Sequence, residues 1–453
     1  MHSSDTVVTP TWSNSSNPLA RGVAQPLQRF LHREIAGGAL LLIATIAALI
    51  WANIGHSYHD FWETEVDLTI GPWSLLHHGH SLTLHSLVND ALMGIFFFVV
   101  GLEIKREWTT GHLVDRRAAI VPMIGAIGGM AVPAVFYLAI AGPSGAANGW
   151  GIPMATDIAF ALGALSVLGS RVPSSLKVFL LTLAIVDDIG AILVIALFYS
   201  SGISTVWLGV VAICATAMIA ARRAGVRYIP TYVVVGVTLW YALLQSGVHA
   251  TLAGVICGLL TPAHAWINRS GQRLEVVNDP KSVRQLALAA RESVPVTERL
   301  EEALHPFTAF IILPIFALAN AGIPLTGEAL ATIGSPVALG VGIGLLLGKT
   351  LGISLSVAIA VKSGLGPMPA GTKPHHIVGV GALSGIGFTV AMFVAGLAFT
   401  NSADVEAAKF GILVASFAAV VVGLSVLSQR SNSAATETVH QLDSQPSDEA
   451  MAA

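Results

Sequence analysis

Twelve stretches of this chain are long and apolar enough to lie in a lipid bilayer, and that recurrence limits the fold more than any single motif. A hydrocarbon core about 30 Å thick asks for roughly 20 apolar residues per helical crossing. Such runs fall at 35–54, 84–104, 118–141, 151–168, 175–199, 204–221, 228–245, 248–262, 306–323, 335–361, 375–399 and 405–428. Only 11% of the 453 residues are charged and 54% are hydrophobic, against roughly 25% charged in an ordinary soluble domain. The expected class is an all-α polytopic membrane protein with twelve transmembrane helices.

The basic residues order these crossings. Arg29 and Arg33 precede the first run, Lys105, Arg106, Arg116 and Arg117 follow the second, and Arg222, Arg223 and Arg227 follow the sixth. The alternate connections 55–83, 142–150, 200–203, 246–247 and 324–334 hold no Lys or Arg, and the last outer one has only Lys409. Positive charge marks the cytoplasmic side, so both termini are expected there. Residues 1–30 and 431–453 read as disordered cytoplasmic tails around a transmembrane domain at 31–430. The connection 263–304 is expected in the cytoplasm. In the first outer loop, alternating Val66, Leu68 and Ile70 before a Gly-Pro turn predict a small extramembrane β-hairpin over 65–76. A lone hairpin is marginal in water, which points to pairing with its copy in a second subunit. The net charge of -3 gives no sign of a nucleic-acid partner. Cys214 and Cys257 both lie in apolar runs, where a small buried role is expected rather than a disulfide.

Against this background, "LTLAIVDDIGAILVIALF" at 181–198 is an anomaly. A bare carboxylate at the centre of a membrane helix costs about 2.5–3.5 kcal/mol on insertion scales, and Asp187 and Asp188 also repel each other. Lys349, in "GLLLGKTLGIS", is equally deep. At ~1.5 Å per residue it lies about 18–21 Å from either end of its run, beyond what a lysine stem can snorkel. It needs a buried partner among Asp90, Asp157, Asp187 and Asp188. Adjacent helical residues point about 100° apart, so the two neighbouring acids cannot both face one lysine. One is expected to pair with Lys349 while the other faces a water-filled cavity, where its hard oxygens suit sodium or lithium. Proton and cation would compete for the same atoms. Lys349 also serves the simpler reading of a structural charge compensator.

Two further runs read as interrupted. Pro153, Thr156 and Asp157 in "GIPMATDIAFALG" break the fourth, leaving a half-helix N-terminus that favours an acid; an ordinary N-cap at a membrane edge is the plainer alternative. Gly379, Gly381, Gly385 and Gly387 with Ser384 and Thr389 interrupt the eleventh, although small-residue helix packing also explains such glycines. Counted in threes, runs 3–5 and 10–12 form two repeats of inverted orientation, each with its broken helix in the middle. Broken helices at matching positions of two repeats point to a transporter site.

These residues resemble the NhaA-type sodium/proton antiporters of bacterial membranes, a family from which that repeat rule was itself partly drawn. The resemblance runs from about residue 31 to 427 through "VNDALMGIFFFVVGLEIKRE", "PMATDIAFALG", "LAIVDDIGAI", "SGVHATLAGV", "LHPF", "GKTLGIS" and "GIGFT". It implies that Asp188 is the main cation ligand and that Asp187 is salt-bridged to Lys349. Thr156 and Asp157 become the polar pair where two broken helices cross, with Gly385 and Gly387 in the second break. Na+ or Li+ would sit at Asp188, Asp187 and Thr156. Glu103, Arg106, Glu107, His249 and Glu301 match positions linked to the cytoplasmic funnel and the pH response. Considered alone, Glu103, Arg106 and Glu107 are interfacial charges at i, i+3 and i, i+4 spacing, and His249 is a helix-start residue. The resemblance further implies an electrogenic, pH-regulated exchange of more than one proton per sodium, in a homodimer of the bacterial inner membrane. The substrates are then Na+, Li+ and H+, and no cofactor is expected.

Rival classes fit less well. An intramembrane aspartyl protease needs acids facing each other from different helices, and no GxGD sequence occurs. A sodium-coupled symporter for an organic anion wants a larger basic pocket than one deep lysine provides. The loop cluster "HHGH" at His77, His78 and His80 offers a transition-metal alternative, but loop histidines are commonly solvated.

Overall fold

The computed structural model describes residues 34–66, 69–70, 73–74, 76–77, 80–200, 202–263, 294–325, 327 and 332–429. Both expected tails and most of the 263–304 connection lie outside the described residues. The chain opens with helix α1 (Glu34–Ala52) and a short helix α2 (Ser57–Trp62), whose Tyr58 donates its hydroxyl to the carbonyls of Leu318 and Ala319, each at 2.8 Å. Five short strands follow: β1 (Glu65–Val66), β2 (Thr69–Ile70), β3 (Trp73–Ser74), β4 (Leu76–His77) and β5 (His80–Thr83). β2 pairs antiparallel with β3, Thr69 opposite Ser74, while β5 pairs with both β1 and β4. The β region therefore runs past the expected limit of 76 as far as Thr83. It stops there because the Thr83 side chain caps the next helix, accepting from the Ser86 N–H.

Eight helices among the described residues are long and apolar enough to cross a membrane, or ten crossings if each of two bent pairs counts as one. In chain order these elements are α3 (Leu84–Thr109), α4 (Arg116–Ala141), a 3-10 segment Ala147–Met154 bent onto α5 (Ile158–Val167), α6 (Ser174–Phe198), α7 (Thr205–Arg223) and α8 (Ile229–Ser246). After α9 (Leu252–Leu260) come α10 (Val296–Asn320), α11 (Pro336–Lys362), the bent pair α12 (Pro374–Leu383) and α13 (Phe388–Ala398), and α14 (Ser402–Ser428). The protein is an all-α membrane protein with two very small sheets among the described residues. The expected crossing at 248–262 holds only the nine residues of α9. At ~1.5 Å per residue such a helix covers less than half of the ~30 Å apolar core.

Small residues set the packing. α11 lies against α4, and a Cβ on Gly348 would fall 2.7 Å from the Pro133 Cα. α9 lies against α3, where a Cβ on Gly101 would meet the Val255 carbonyl at 2.8 Å. Between apolar helices in lipid, this close backbone approach replaces the hydrophobic drive that water would supply. It also brings α4, α6, α11 and both bent pairs around one centre.

Candidate functional site

The first break is where the sequence places Pro153 and Thr156. The 3-10 segment ends at Met154, the chain runs extended through Ala155, and α5 begins after Asp157, with a bend of 40° across the pair. The second break separates α12 from α13 with a bend of 50°. They meet in the interior. The Asp157 N–H donates to the Ile386 carbonyl at 2.6 Å, so each break satisfies a backbone group that the other lost. Two glycines make the approach possible: a Cβ on Gly385 would lie 2.5 Å from the Leu345 carbonyl, and one on Gly387 would lie 2.8 Å from the Leu345 side chain and 3.2 Å from the Ala155 carbonyl.

Asp157 caps two helices at once. Its Oδ1 accepts from the Phe160 N–H (3.1 Å) at the start of α5. Its Oδ2 accepts from both the N–H (3.2 Å) and the hydroxyl (2.6 Å) of Thr389 in the first turn of α13. Two half-helix N-termini, each a partial positive charge, thus converge on one carboxylate.

Beside it stand the deep lysine and the paired acids. Lys349 begins the α-helical half of α11 directly after a π-turn, Gly344–Gly348, a local insertion of the kind found at functional sites. Its ammonium forms a salt bridge with Asp187 Oδ2 and donates to Thr156 Oγ1 at 2.9 Å. Both members of the pair are 0% exposed. The Thr156 hydroxyl has two acceptors in reach, Asp187 Oδ2 at 2.6 Å and the Ser384 carbonyl at 2.9 Å, and it carries one proton for them. Asp188 is buried one position further along α6 and points elsewhere, in electrostatic range of Asp187, Asp157, Glu103 and Lys349. Asp187 Oδ1 and Asp188 Oδ1 are buried with no hydrogen-bond partner among the described residues. Three acids therefore stand near one lysine that pairs with Asp187 alone, and only Asp157 is fully answered by helix ends.

The family described as Na+/H+ antiporter 1 matches residues 28–427. The chain belongs to that family. It is 45% identical over 428 residues, 90% of each chain, to "Na(+)/H(+) antiporter NhaA 2" of Sorangium cellulosum. It is also 45% identical over 417 residues, 89% of each chain, to "Na(+)/H(+) antiporter NhaA 3" of Frankia alni. "Na(+)/H(+) antiporter NhaA" of Oleidesulfovibrio alaskensis shares 45% over 416 residues, 87% of this chain and 91% of the relative.

The remaining residues singled out in this family member fall at two separate places. At the basic end of α3, Arg106 pairs with Glu301 of α10 at 2.6 Å and reaches Glu107 at 3.4 Å. Glu107 Oε2 also accepts the His112 N–H at 2.8 Å, closing the end of α3. Glu103, one turn earlier, interacts electrostatically with Glu301, Arg106 and Glu107 and lies between this cluster and Asp188. His249 is not brought to the cluster. Its Nε2 lies 2.7 Å from the Tyr199 carbonyl at the far end of α6. The Tyr199 hydroxyl in turn donates to the Asn148 carbonyl (2.7 Å) and accepts from the Gly151 N–H (3.2 Å).

The Asp90 backbone carbonyl accepts from the Trp240 indole at 3.0 Å, away from Lys349's partners. His77 and His80 are paired in register between β4 and β5, His78 lies outside the described residues, and no group of three His, Cys, Asp or Glu suited to a metal occurs among the described residues. Sequence reasoning noticed Thr389 as a helix breaker but not as the donor to Asp157. Its position one residue past "GIGF" was the available signal.

Proposed function

We propose that this chain is an electrogenic, pH-regulated sodium(lithium)/proton antiporter that extrudes Na+ in exchange for H+ at the Asp187–Asp188 pair. The observation that carries the reading is Asp188 Oδ1, a buried, unpartnered hard oxygen next to an acid already committed to Lys349. A carboxylate in that setting is stable only with a proton or a cation, so the two compete. Protons from the outer side neutralise Asp187 and Asp188. After the site opens inward they leave, and Na+ or Li+ binds Asp188 with Asp187 and Thr156, contesting Lys349 for Asp187. Two protonatable acids against one monovalent cation move net charge inward in each cycle.

The same reading supplies the finer architecture. Twelve crossings, counting α1 and the run 248–262, in which the short α9 crosses together with its non-helical flanks, place both termini in the cytoplasm of a bacterial inner-membrane protein. The triplets holding the two bent pairs are inverted repeats, and the free edges of the β region join a homodimer. Glu103, Arg106, Glu107 and Glu301 form the cytoplasmic funnel that couples pH to access, and His249 acts separately from the outer end.

The test is transport in energised everted vesicles loaded with a pH-sensitive dye. Na+ and Li+ salts should dequench the dye from neutral to alkaline pH, K+ should not, and Asp188→Asn should abolish the response. No sodium response at any pH, or an undiminished one in Asp188→Asn, would sink the proposal.

A further inference from the structure

Far from the acids, α7 presents only two buried side chains, Cys214 and Met218. They are one helical turn apart, at i and i+4, and so share a face. That face meets α9, where the chain's other cysteine, Cys257, brings its Sγ to 3.9 Å from the Met218 Sδ and lies in electrostatic range of Cys214. The third side is α8, whose Gly236 has no side chain to fill the space; a Cβ there would come 3.2 Å from Cys257 Sγ. Both cysteines of a 453-residue chain, 43 positions apart, thus border one buried seam: Cys257 touches the Met218 thioether, and Cys214 lies one turn from Met218 on the same helix face.

We infer that Cys214, Met218 and Cys257 form a site for a soft, thiophilic metal ion, separate from the acid site and independent of the antiport reading. Thiolate and thioether ligands select soft ions of the Cu(I) class over Na+, Mg2+ or Ca2+. An ion held by three sulfurs through bonds of about 2.3 Å sets those sulfurs about 4 Å apart, which the Met218–Cys257 separation already matches. Charge narrows the chemistry further, because the seam is apolar and a net charge there is costly. Cu(I) gives a neutral centre with one thiolate and one thiol, and Hg(II) gives one with two thiolates. Supplied as the neutral dichloride, Hg(II) exchanges two Hg–Cl bonds for two Hg–S bonds and releases two chlorides and the two thiol protons. The bound ion would pin α7 to α9, the short helix packed on α3.

Purified full-length protein in detergent should be titrated with mercuric chloride, and the remaining thiols counted with a maleimide after unfolding. Bridging predicts that one equivalent per chain removes both reactive cysteines. It also predicts that Met218→Leu keeps this stoichiometry with weaker binding, and that Cys214→Ser binds at least about tenfold more weakly, since losing a ligand costs no less than losing an outer partner. Two equivalents needed to consume two thiols, or no thiol loss before unfolding, overturns the site. The wild-type stoichiometry decides the matter even if a variant folds poorly.

Discussion

Two charged clusters, one at the crossing of the broken helices and one at the basic end of α3, use the same kind of ion pair in opposite settings. Asp187 and Lys349 are both 0% exposed, whereas Arg106 is 34% and Glu301 12% exposed. At the crossing, acids outnumber the one lysine, and Asp188 has no cation of its own; at the α3 end, one arginine gathers Glu301 and Glu107 and Glu107 also closes a helix, although Glu301 Oε2, like Oδ1 of Asp187 and Asp188, has no hydrogen-bond partner among the described residues. A buried pair with an unanswered acid beside it is poor design for stability and good design for exchange, because any ion that arrives is stabilised. The α3-end pair, whose arginine is 34% exposed, is instead open to screening by salt in the water next to it.

The comparison can be broken first at Lys349. Lys349→Met strands Asp187 without its cation, and removing one partner of a buried pair costs about 3–5 kcal/mol. Thermal unfolding of the purified variant should show the largest stability loss of the series, insensitive to added salt. A mild change there would mean that Asp187 does not depend on its lysine. Next comes Thr389→Val, which keeps the N–H bond to Asp157 but deletes the hydroxyl donor; a hydrogen bond to a charged group is worth about 1.5–3 kcal/mol. Its unfolding should likewise ignore salt, and its transport should fall as Asp157 loses its anchor on α13.

The smallest effect belongs to the other cluster. Glu301→Gln should cost less stability than Lys349→Met or Thr389→Val, because Arg106 keeps Glu107 as a partner and is itself 34% exposed to water, with the difference from wild type shrinking as ionic strength rises. What should move is the pH profile of transport. An unchanged profile with a large stability loss would reverse the assignments of the two clusters.

Much of this is legible in the amino-acid sequence. Apolar length and basic-residue spacing locate the long helices, because the bilayer imposes both. The cost of charge in hydrocarbon singles out Asp187, Asp188 and Lys349. What escapes the sequence depends on backbone detail that apolar periodicity does not encode. The π-turn before Lys349 and the nine-residue length of α9 are of this kind. Contacts between distant segments escape too. Thr389 donates to Asp157 across 232 positions, and His249 bonds the Tyr199 carbonyl rather than joining Glu301. The breaks themselves are readable from Pro153 and the glycines, but their meeting, through the Asp157 N–H and the Ile386 carbonyl, is not.

The central claim is that cation and proton compete for the same buried carboxylates. It is tested most directly by adding NaCl to lightly buffered, purified protein at alkaline pH and recording the protons released per chain. The account predicts prompt acidification with Na+ and Li+, none with K+, and none in Asp188→Asn. A wild-type protein that binds sodium without releasing protons, or an Asp188→Asn variant that releases as many, would contradict it.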